Sequence, residues 1–324
     1  MITIREILEA QRRIRPHVFR TPLRYSFLLS ERIGASVFLK LENWQVTGSF
    51  KPRGALNMMA MLDDAERARG VVTASAGNHA LGVGYAARLL NISPATIFVP
   101  RTAPRAKLDK LREFPVDVRT VGETYDDAHH AAEAHRRATG ATFVNAYDDP
   151  RTVAGQATIG LEILEDLPDV DAILVPVGGG GMIAGIAIAA KALAPAVKII
   201  AVQPVASPAL RDSLRDGKCY EEYPAAPTIC DGLAGGIGKI CFEVAQRLVD
   251  DVVVVEEDET KTAIRALAET EQLIAEGSGA VGVAALLSQK ADLAGKLVAV
   301  VLSGGNIDLA LLAQILNQKS EILN

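Results

Sequence analysis

The stretch that decides the fold is Ala172-Ile173-Leu174-Val175-Pro176-Val177-Gly178-Gly179-Gly180-Gly181-Met182. Its first half is a short, continuous apolar run, which reads as a strand buried on both faces. Four glycines then lead into an apolar stretch of helical length over 182–194. Comparable runs rich in Val and Ile recur at 71–73, 95–99, 198–202, 251–255 and 297–302. Between them lie amphipathic stretches at 124–139, 152–166 and 260–276. Such alternation implies an α/β fold of parallel sheets covered by helices on both faces. An opening helix is also marked, because Thr3-Ile4-Arg5-Glu6 fits a capping box.

At roughly 150 residues per domain, 324 residues suggest two domains. Hydrophobic residues at 49% and charged ones at 23% exclude disorder, collagen-like repeats and coiled-coil rods. A net charge of −5 gives no electrostatic reason to expect nucleic acid or an anionic membrane as partner. With aromatics at 5%, a base-stacking platform is not expected either. The most apolar stretch, 172–190, is broken by Pro176 and the glycines and does not read as a membrane span. The N-terminal residues carry charges from Arg5 onward, unlike a signal peptide. Cys219, Cys230 and Cys241 show no CxxC spacing, and an odd number suits a reducing compartment. The cytoplasm is the expected location, and the cysteines read as small hydrophobes. His129, His130 and His135 share a helix with Asp126, Asp127 and Glu133 and read as a solvated face rather than a metal site.

In open parallel sheets, ligands bind at the carboxyl ends of strands. Three turns there are rich in glycine and small polar residues: Ser75-Ala76-Gly77-Asn78-His79, Gly178-Gly179-Gly180-Gly181, and Ser303-Gly304-Gly305-Asn306. The four glycines are either a tight turn for close packing or a nest of free N–H groups that favours a phosphate. The phosphate reading is preferred, and its kind can be narrowed. A Walker loop needs Lys and Ser/Thr after the glycines, whereas Met182 follows here. A dinucleotide site needs an acid at the end of the next strand, which reads Ala201-Val202-Gln203-Pro204. A phosphate monoester remains.

Lys51 sits in Gly48-Ser49-Phe50-Lys51-Pro52-Arg53-Gly54. Pro52 suits a first helical turn, and the residue before a proline is pushed out of the helical region. Lys51 is therefore expected just outside a helix start, where the helix dipole disfavours its ammonium form. A neutral amine attacks carbonyls, although an isolated lysine at such a place is ordinarily a solvated charge. A phosphate nest, such a lysine and the adjacent Phe50 ring together match what pyridoxal phosphate requires.

With these motifs the chain resembles the fold type II pyridoxal-phosphate enzymes, which share the tryptophan synthase β-like architecture of two open parallel-sheet domains. Within them it is similar to the short threonine/serine dehydratases and their serine racemase relatives. The resemblance runs through Leu39-Lys40-Leu41-Glu42, the Lys51 segment, the 75–79 loop, Ala154-Gly155-Gln156, the four glycines, Asp231-Gly232, Glu276-Gly277-Ser278-Gly279 and the Ser303 loop. It implies a large cofactor-binding domain of 1–45 and 146–324, with 46–145 inserted as a small domain, a boundary that periodicity alone does not draw. It implies that Lys51 holds the cofactor covalently and later removes the α-proton. Phe50 and Gly232 would cover the two ring faces, Gly178, Gly179, Gly180, Gly181 and Met182 the phosphate, Asn78 the ring hydroxyl, and Ser303 the ring nitrogen. Ser75, Ala76, Gly77, Asn78 and His79 would receive the substrate carboxylate.

A serine hydroxyl at the ring nitrogen leaves it largely unprotonated, which makes a weaker electron sink than an acid would. Prompt loss of a β leaving group is then favoured over transamination. The resemblance thus implies ammonia-lyase activity on L-threonine and L-serine. A related β-hydroxy amino acid such as threo-3-hydroxyaspartate, or serine racemisation, is the nearest alternative. Racemases of the family carry serine where this chain has Ala76, so elimination is preferred. Its magnesium-dependent members carry an acid in place of Gln203 and another where Ser207-Pro208-Ala209 stands, so no divalent metal is expected. No added regulatory domain is expected after the last helix, and a homodimer or homotetramer is. A non-catalytic phosphate-metabolite-binding protein could use the same nest but leaves Phe50, Lys51 and Ser303 unexplained.

Overall fold

The computed structural model describes residues 2–103 and 105–318. Its first part runs α1 (Ile4–Ile14), β1 (Leu23–Tyr25), α2 (Phe27–Ile33), β2 (Ser36–Lys40), α3 (Lys51–Ala60), α4 (Asp64–Arg69), β3 (Val71–Ala74), α5 (Asn78–Leu90), β4 (Ala95–Val99), α6 (Arg105–Arg112), β5 (Asp117–Thr120), α7 (Tyr125–Thr139) and β6 (Thr142–Phe143). It continues with α8 (Pro150–Asp166), β7 (Ala172–Pro176), α9 (Gly181–Leu193), β8 (Lys198–Pro204), α10 (Ala209–Asp216), α11 (Lys239–Leu248), β9 (Asp251–Val255), α12 (Glu257–Glu271), α13 (Gly277–Leu287), β10 (Leu297–Val301) and α14 (Leu309–Asn317).

Two sheets result, in the orders β1-β2-β10-β7-β8-β9 and β5-β4-β3-β6. Every pairing is parallel except β1 with β2, where Leu23 lies opposite Lys40. The apolar runs of β3, β4, β7, β8 and β10 are continuous because these strands are covered on both sides, unlike the edge strands β1, β5, β6 and β9. In β7, Ile173 and Val175 enter one core while Ala172 and Leu174 enter the other. The next strand but two, β10, repeats this with Ala299 and Val301 against Val298 and Val300. In the smaller sheet, Val71 and Val72 likewise face opposite cores.

Chain order reverses beside β7: the sheet grows outward through β8 and β9, then returns so that β10 lies on the other flank of β7. A crevice opens at such a switch point, outside the carboxyl ends of the strands. The glycine loop after β7 and the Ser303 loop after β10 flank it.

At Thr3 the expected capping box is formed, with Thr3 N–H donating to Glu6 at 2.7 Å and Glu6 N–H to the Thr3 hydroxyl at 3.3 Å. Two boundaries differ from expectation. The helix expected over 260–276 stops at Glu271, because Gln272 turns left-handed with φ of 55°. Glu276 is instead the N-cap of α13. Lys51 is the first residue of α3, not a residue outside it. The Arg53 N–H donates back to the Phe50 carbonyl at 3.1 Å, a turn that overrides the pre-proline preference.

Candidate active site

The lysine-bearing segment is docked onto the loop after β10. Ser49 and Gly304 form an isolated antiparallel bridge. Phe50 N–H donates to Ser303 O at 3.1 Å, and Gly305 N–H to Gly48 O at 2.9 Å. Gly48 has φ of +77°, and a Cβ there would lie 2.7 Å from Asn306 Oδ1, so only glycine allows this docking.

Lys51 Nζ donates to Ala146 O at 3.3 Å and stands 5.1 Å from the Phe50 ring centroid. Withdrawal from water lowers the pKa of this amine to about 8, against the opposing influence of Cys241 and Glu276. Desolvation rather than the helix dipole is thus the leading cause of the shift expected at this lysine. At that pKa a sizeable share of the amine is neutral near pH 8.

The four glycines are confined by neighbours as well as by the turn. A Cβ on Gly179 would come within 2.4 Å of the Tyr147 ring, and one on Gly181 within 2.8 Å of the Tyr147 backbone. One on Gly178 would meet Gly232 O at 2.7 Å. Gly180 has φ of +91°. No N–H from Gly178 to Met182 donates to a protein acceptor among the described residues. These amides, at the start of α9, form an anion cradle. Met182 contributes its backbone only, since its side chain is buried in the core.

Gly232 is tied down by its N–H to Ser278 Oγ at 2.9 Å. Ser303 is buried, and its hydroxyl lies 3.2 Å from Ser278 O. In the loop after β3, Ser75 N–H donates to Phe98 O at 3.1 Å, and Gly77 N–H to Ser75 Oγ at 3.2 Å. The N–H groups of Ala76, Asn78 and His79 have no protein acceptor among the described residues. They can receive a carboxylate at the start of α5. The His79 ring turns inward instead, with Nε2 donating to Val144 O at 2.8 Å. Burial first, and the Lys51 charge second, push its pKa down to about 3, so it stays neutral. A Cβ on Gly82 would lie 3.1 Å from the Lys51 carbonyl carbon, so the helix carrying this loop approaches the lysine closely.

Asn78 is held from two sides. Its Nδ2 donates to Glu276 Oε1 at 2.5 Å, and its Oδ1 accepts from Asn306 Nδ2 at 2.8 Å. Glu276, Asn306, Tyr147 and Ala146 are the site residues that sequence reasoning missed. Glu276 and Asn306 stood inside quoted motifs, and no local pattern marked the other two.

Elsewhere, Gln203 is fully buried with its amide satisfied. It donates to Val177 O at 3.2 Å and Ser207 O at 3.4 Å, and accepts from Leu210 N–H at 3.0 Å and Arg211 N–H at 3.1 Å. His129 and His135 differ from the expected solvated face. His129 stacks on Tyr125 at 5.9 Å and meets the edge of Phe143 at 5.4 Å, and His135 lies 5.7 Å from Phe98. Cys230 and Cys241 are buried, and burial pushes the Cys230 thiol up to about 12.

These parts suit a phosphorylated aromatic aldehyde: a glycine cradle for the phosphate, a desolvated amine for the carbonyl, the Phe50 ring beside that amine, and a buried hydroxyl. The chain belongs to the family of pyridoxal-phosphate dependent enzymes, which it matches over residues 14–304. It is 50% identical to the L-threonine ammonia-lyase of Thermotoga maritima over 98% of this chain and 79% of that one. Among solved structures, maize serine racemase has a TM-score of 0.90 at 36% identity, covering 96% of each chain. The processed form of threonine deaminase isoform 2 from Solanum lycopersicum also has a TM-score of 0.90, at 35% identity, covering 96% of this chain and 86% of that one. No described helix is long and apolar enough to cross a membrane.

Proposed function

We propose that this protein removes water from L-threonine, giving 2-oxobutyrate and ammonia, and from L-serine, giving pyruvate and ammonia. The observation that carries the reading is Lys51, whose amine has a pKa near 8 and whose backbone lies close against the helix whose first N–H groups form the carboxylate-receiving loop. Pyridoxal phosphate supplies an electrophilic carbonyl and a conjugated ring that takes up the electron pair left on the α-carbon. The amides of Ala76, Asn78 and His79 hold the substrate carboxylate and fix which Cα–H faces the lysine. Lys51 Nζ takes that proton as general base. The Cβ–O bond then breaks, the hydroxyl departs as water with one proton that balances the one Lys51 removed, and a second water hydrolyses the enamine to the 2-oxo acid and ammonia. Ser303, whose hydroxyl donates to Ser278 O at 3.2 Å, would turn that O–H onto the ring nitrogen without charging it, which favours elimination.

Similarity to serine racemase raises a second reading, and Ala76 counts against it because a methyl group moves no proton. Residues 1–45 and 146–324 form the large domain in this reading and 46–145 the small one, with the site between them. The protein works in the cytoplasm as a homo-oligomer, and Phe19, Phe27, Trp44 and Leu309, all exposed, offer apolar surface for its assembly.

The test is 2-oxo acid release by cofactor-loaded protein from L-threonine, L-serine, D-serine and threo-3-hydroxyaspartate, with Lys51→Ala as control. Release from L-threonine that is lost in the variant is the expected result. Cofactor-loaded protein silent on threonine and serine but active on hydroxyaspartate would overturn the substrate.

A further inference from the structure

Four hydrogen-bonding groups in the site form a chain whose polarity is set at both ends. At one end is the carbonyl of Thr47, which can only accept, and Asn306 Nδ2 donates to it at 2.8 Å. That contact decides which way the Asn306 carboxamide points. The second Nδ2 hydrogen faces Asn78, which must present its Oδ1, at 2.8 Å. Asn78 Nδ2 is thereby turned toward Glu276 Oε1, at 2.5 Å, where a carboxylate accepts it. One N–H of Asn78 remains, and no other flip state satisfies every member. Lys110 of α6 completes the arrangement by donating to Asn306 Oδ1 at 2.9 Å.

We propose that Asn306 is a positioning residue that sets the donor direction of Asn78. In the wrong flip state Asn78 would offer its oxygen to the electron-rich ring oxygen of the cofactor and repel it. In the observed state it offers an N–H. The inference rests on the reading of Asn78 as the partner of the cofactor ring hydroxyl. Through Thr47 the same residue couples this setting to the segment that carries Lys51, four positions along the chain.

Asn306→Asp separates orientation from packing. Aspartate keeps the volume, and Lys110 can pair with it, but it places an acceptor against Thr47 O and Asn78 Oδ1. To bond it, Asn78 must rotate and turn its oxygen onto Glu276. Asn306→Ala merely deletes the constraint. Affinity for pyridoxal phosphate, titrated by fluorescence on cofactor-free protein, should fall about fivefold in Asn306→Ala and at least about fiftyfold in Asn306→Asp. The visible absorption of the bound cofactor should shift most in Asn306→Asp. A packing role predicts the opposite order, with aspartate the milder change, and that order would overturn the proposal. If the aspartate variant does not fold, Asn306→Leu serves: it fills the volume without bonding, so it should match the alanine variant, and wild-type affinity would refute the idea. Asn78→Ala tests the assumption beneath it, since unchanged affinity and spectrum there would remove Asn78 from the cofactor and the inference with it. Failure of the wild-type protein to bind pyridoxal phosphate would instead sink the reading of the whole site.

Discussion

Arg53 and Glu42, both fully buried, meet in a bidentate pair: Nε donates to Oε2 and Nη2 to Oε1, each at 2.8 Å. The other side of the guanidinium holds Glu162, with Nη1 to Oε1 at 2.7 Å and Nη2 to Oε2 at 2.9 Å. Lys40 Nζ reaches the same Glu162 Oε2 at 2.6 Å. Two cations and two carboxylates thus close a neutral cluster that joins β2, α3 and α8, two residues beyond Lys51 along the chain. Burial alone would raise the Glu42 carboxyl, but the Arg53 guanidinium beside it holds it below the ordinary carboxylate range.

Removing one member of such a cluster strands the others without water or partner. Arg53→Met should cost about 3–5 kcal/mol of stability, read as a lower urea midpoint in equilibrium unfolding. Adding Glu42→Gln should recover part of that loss, because Glu42 is the carboxylate stranded without its guanidinium, whereas Glu162 keeps Lys40. An Arg53→Met variant as stable as the parent would show that the cluster is not a net contributor.

Lys51 should leave a signature in the pH dependence of the cofactor-free protein. Its folded pKa, about 8, lies below its ordinary value of 10.5. Between those values the unfolded chain holds a proton that the folded chain has released, so stability rises with pH across that window. Below about pH 8 the cost of burying the ammonium is fully present and constant. Lys51→Met should therefore stabilise the cofactor-free protein most at pH 7, with the gain shrinking toward pH 10. Parallel unfolding curves at pH 7, 8, 9 and 10 check this, and a pH-independent difference would contradict the shift.

The glycine cradle predicts a steric failure with a named culprit. In Gly179→Ala the new methyl would stand 2.4 Å from the Tyr147 ring, so ring or loop must move. Overpacking of this kind costs about 1–3 kcal/mol, and here it falls on the phosphate-binding amides. Affinity for pyridoxal phosphate should drop roughly tenfold or more. Replacing Tyr147 by alanine in the same chain frees the space and should restore part of the affinity; no recovery would place the strain elsewhere.

The strands that frame this cradle were readable because β7 and β10 are buried on both faces and so carry unbroken apolar runs. By contrast, β1 and β6 span only Leu23–Tyr25 and Thr142–Phe143, too short for a period to show. The false extension of α12 has a similar cause, since Leu273, Ile274 and Ala275 continue an apolar spacing after the left-handed turn at Gln272. Lys51 was found from its local company, yet its place inside α3 depends on docking against 303–305. Glu276 and Asn306 act on Asn78 across 198 and 228 positions of sequence, respectively. Pairings so remote leave no trace in spacing, so the motifs that contain Glu276 and Asn306 assign them no role.

Ala76 offers the sharpest separation of elimination from racemisation. Both begin when Lys51 removes the α-proton on one face, and racemisation then needs a proton donor on the other. Ala76 stands in the loop after β3, half-buried between Ser75 and Gly77, and its methyl carries no transferable proton. The Ala76 side chain packs beside the core around β3 and β4, and a serine hydroxyl turned from there toward the cleft would supply one. Ala76→Ser should convert L-serine to D-serine at a rate roughly a hundredfold above the parent, the usual scale of one positioned acid or base. Chiral chromatography of the reaction mixture measures this, while pyruvate release reports elimination in the same sample. D-serine formation equal in variant and parent would mean that residue 76 does not face the α-carbon, and the block to racemisation would then lie in another residue on that face.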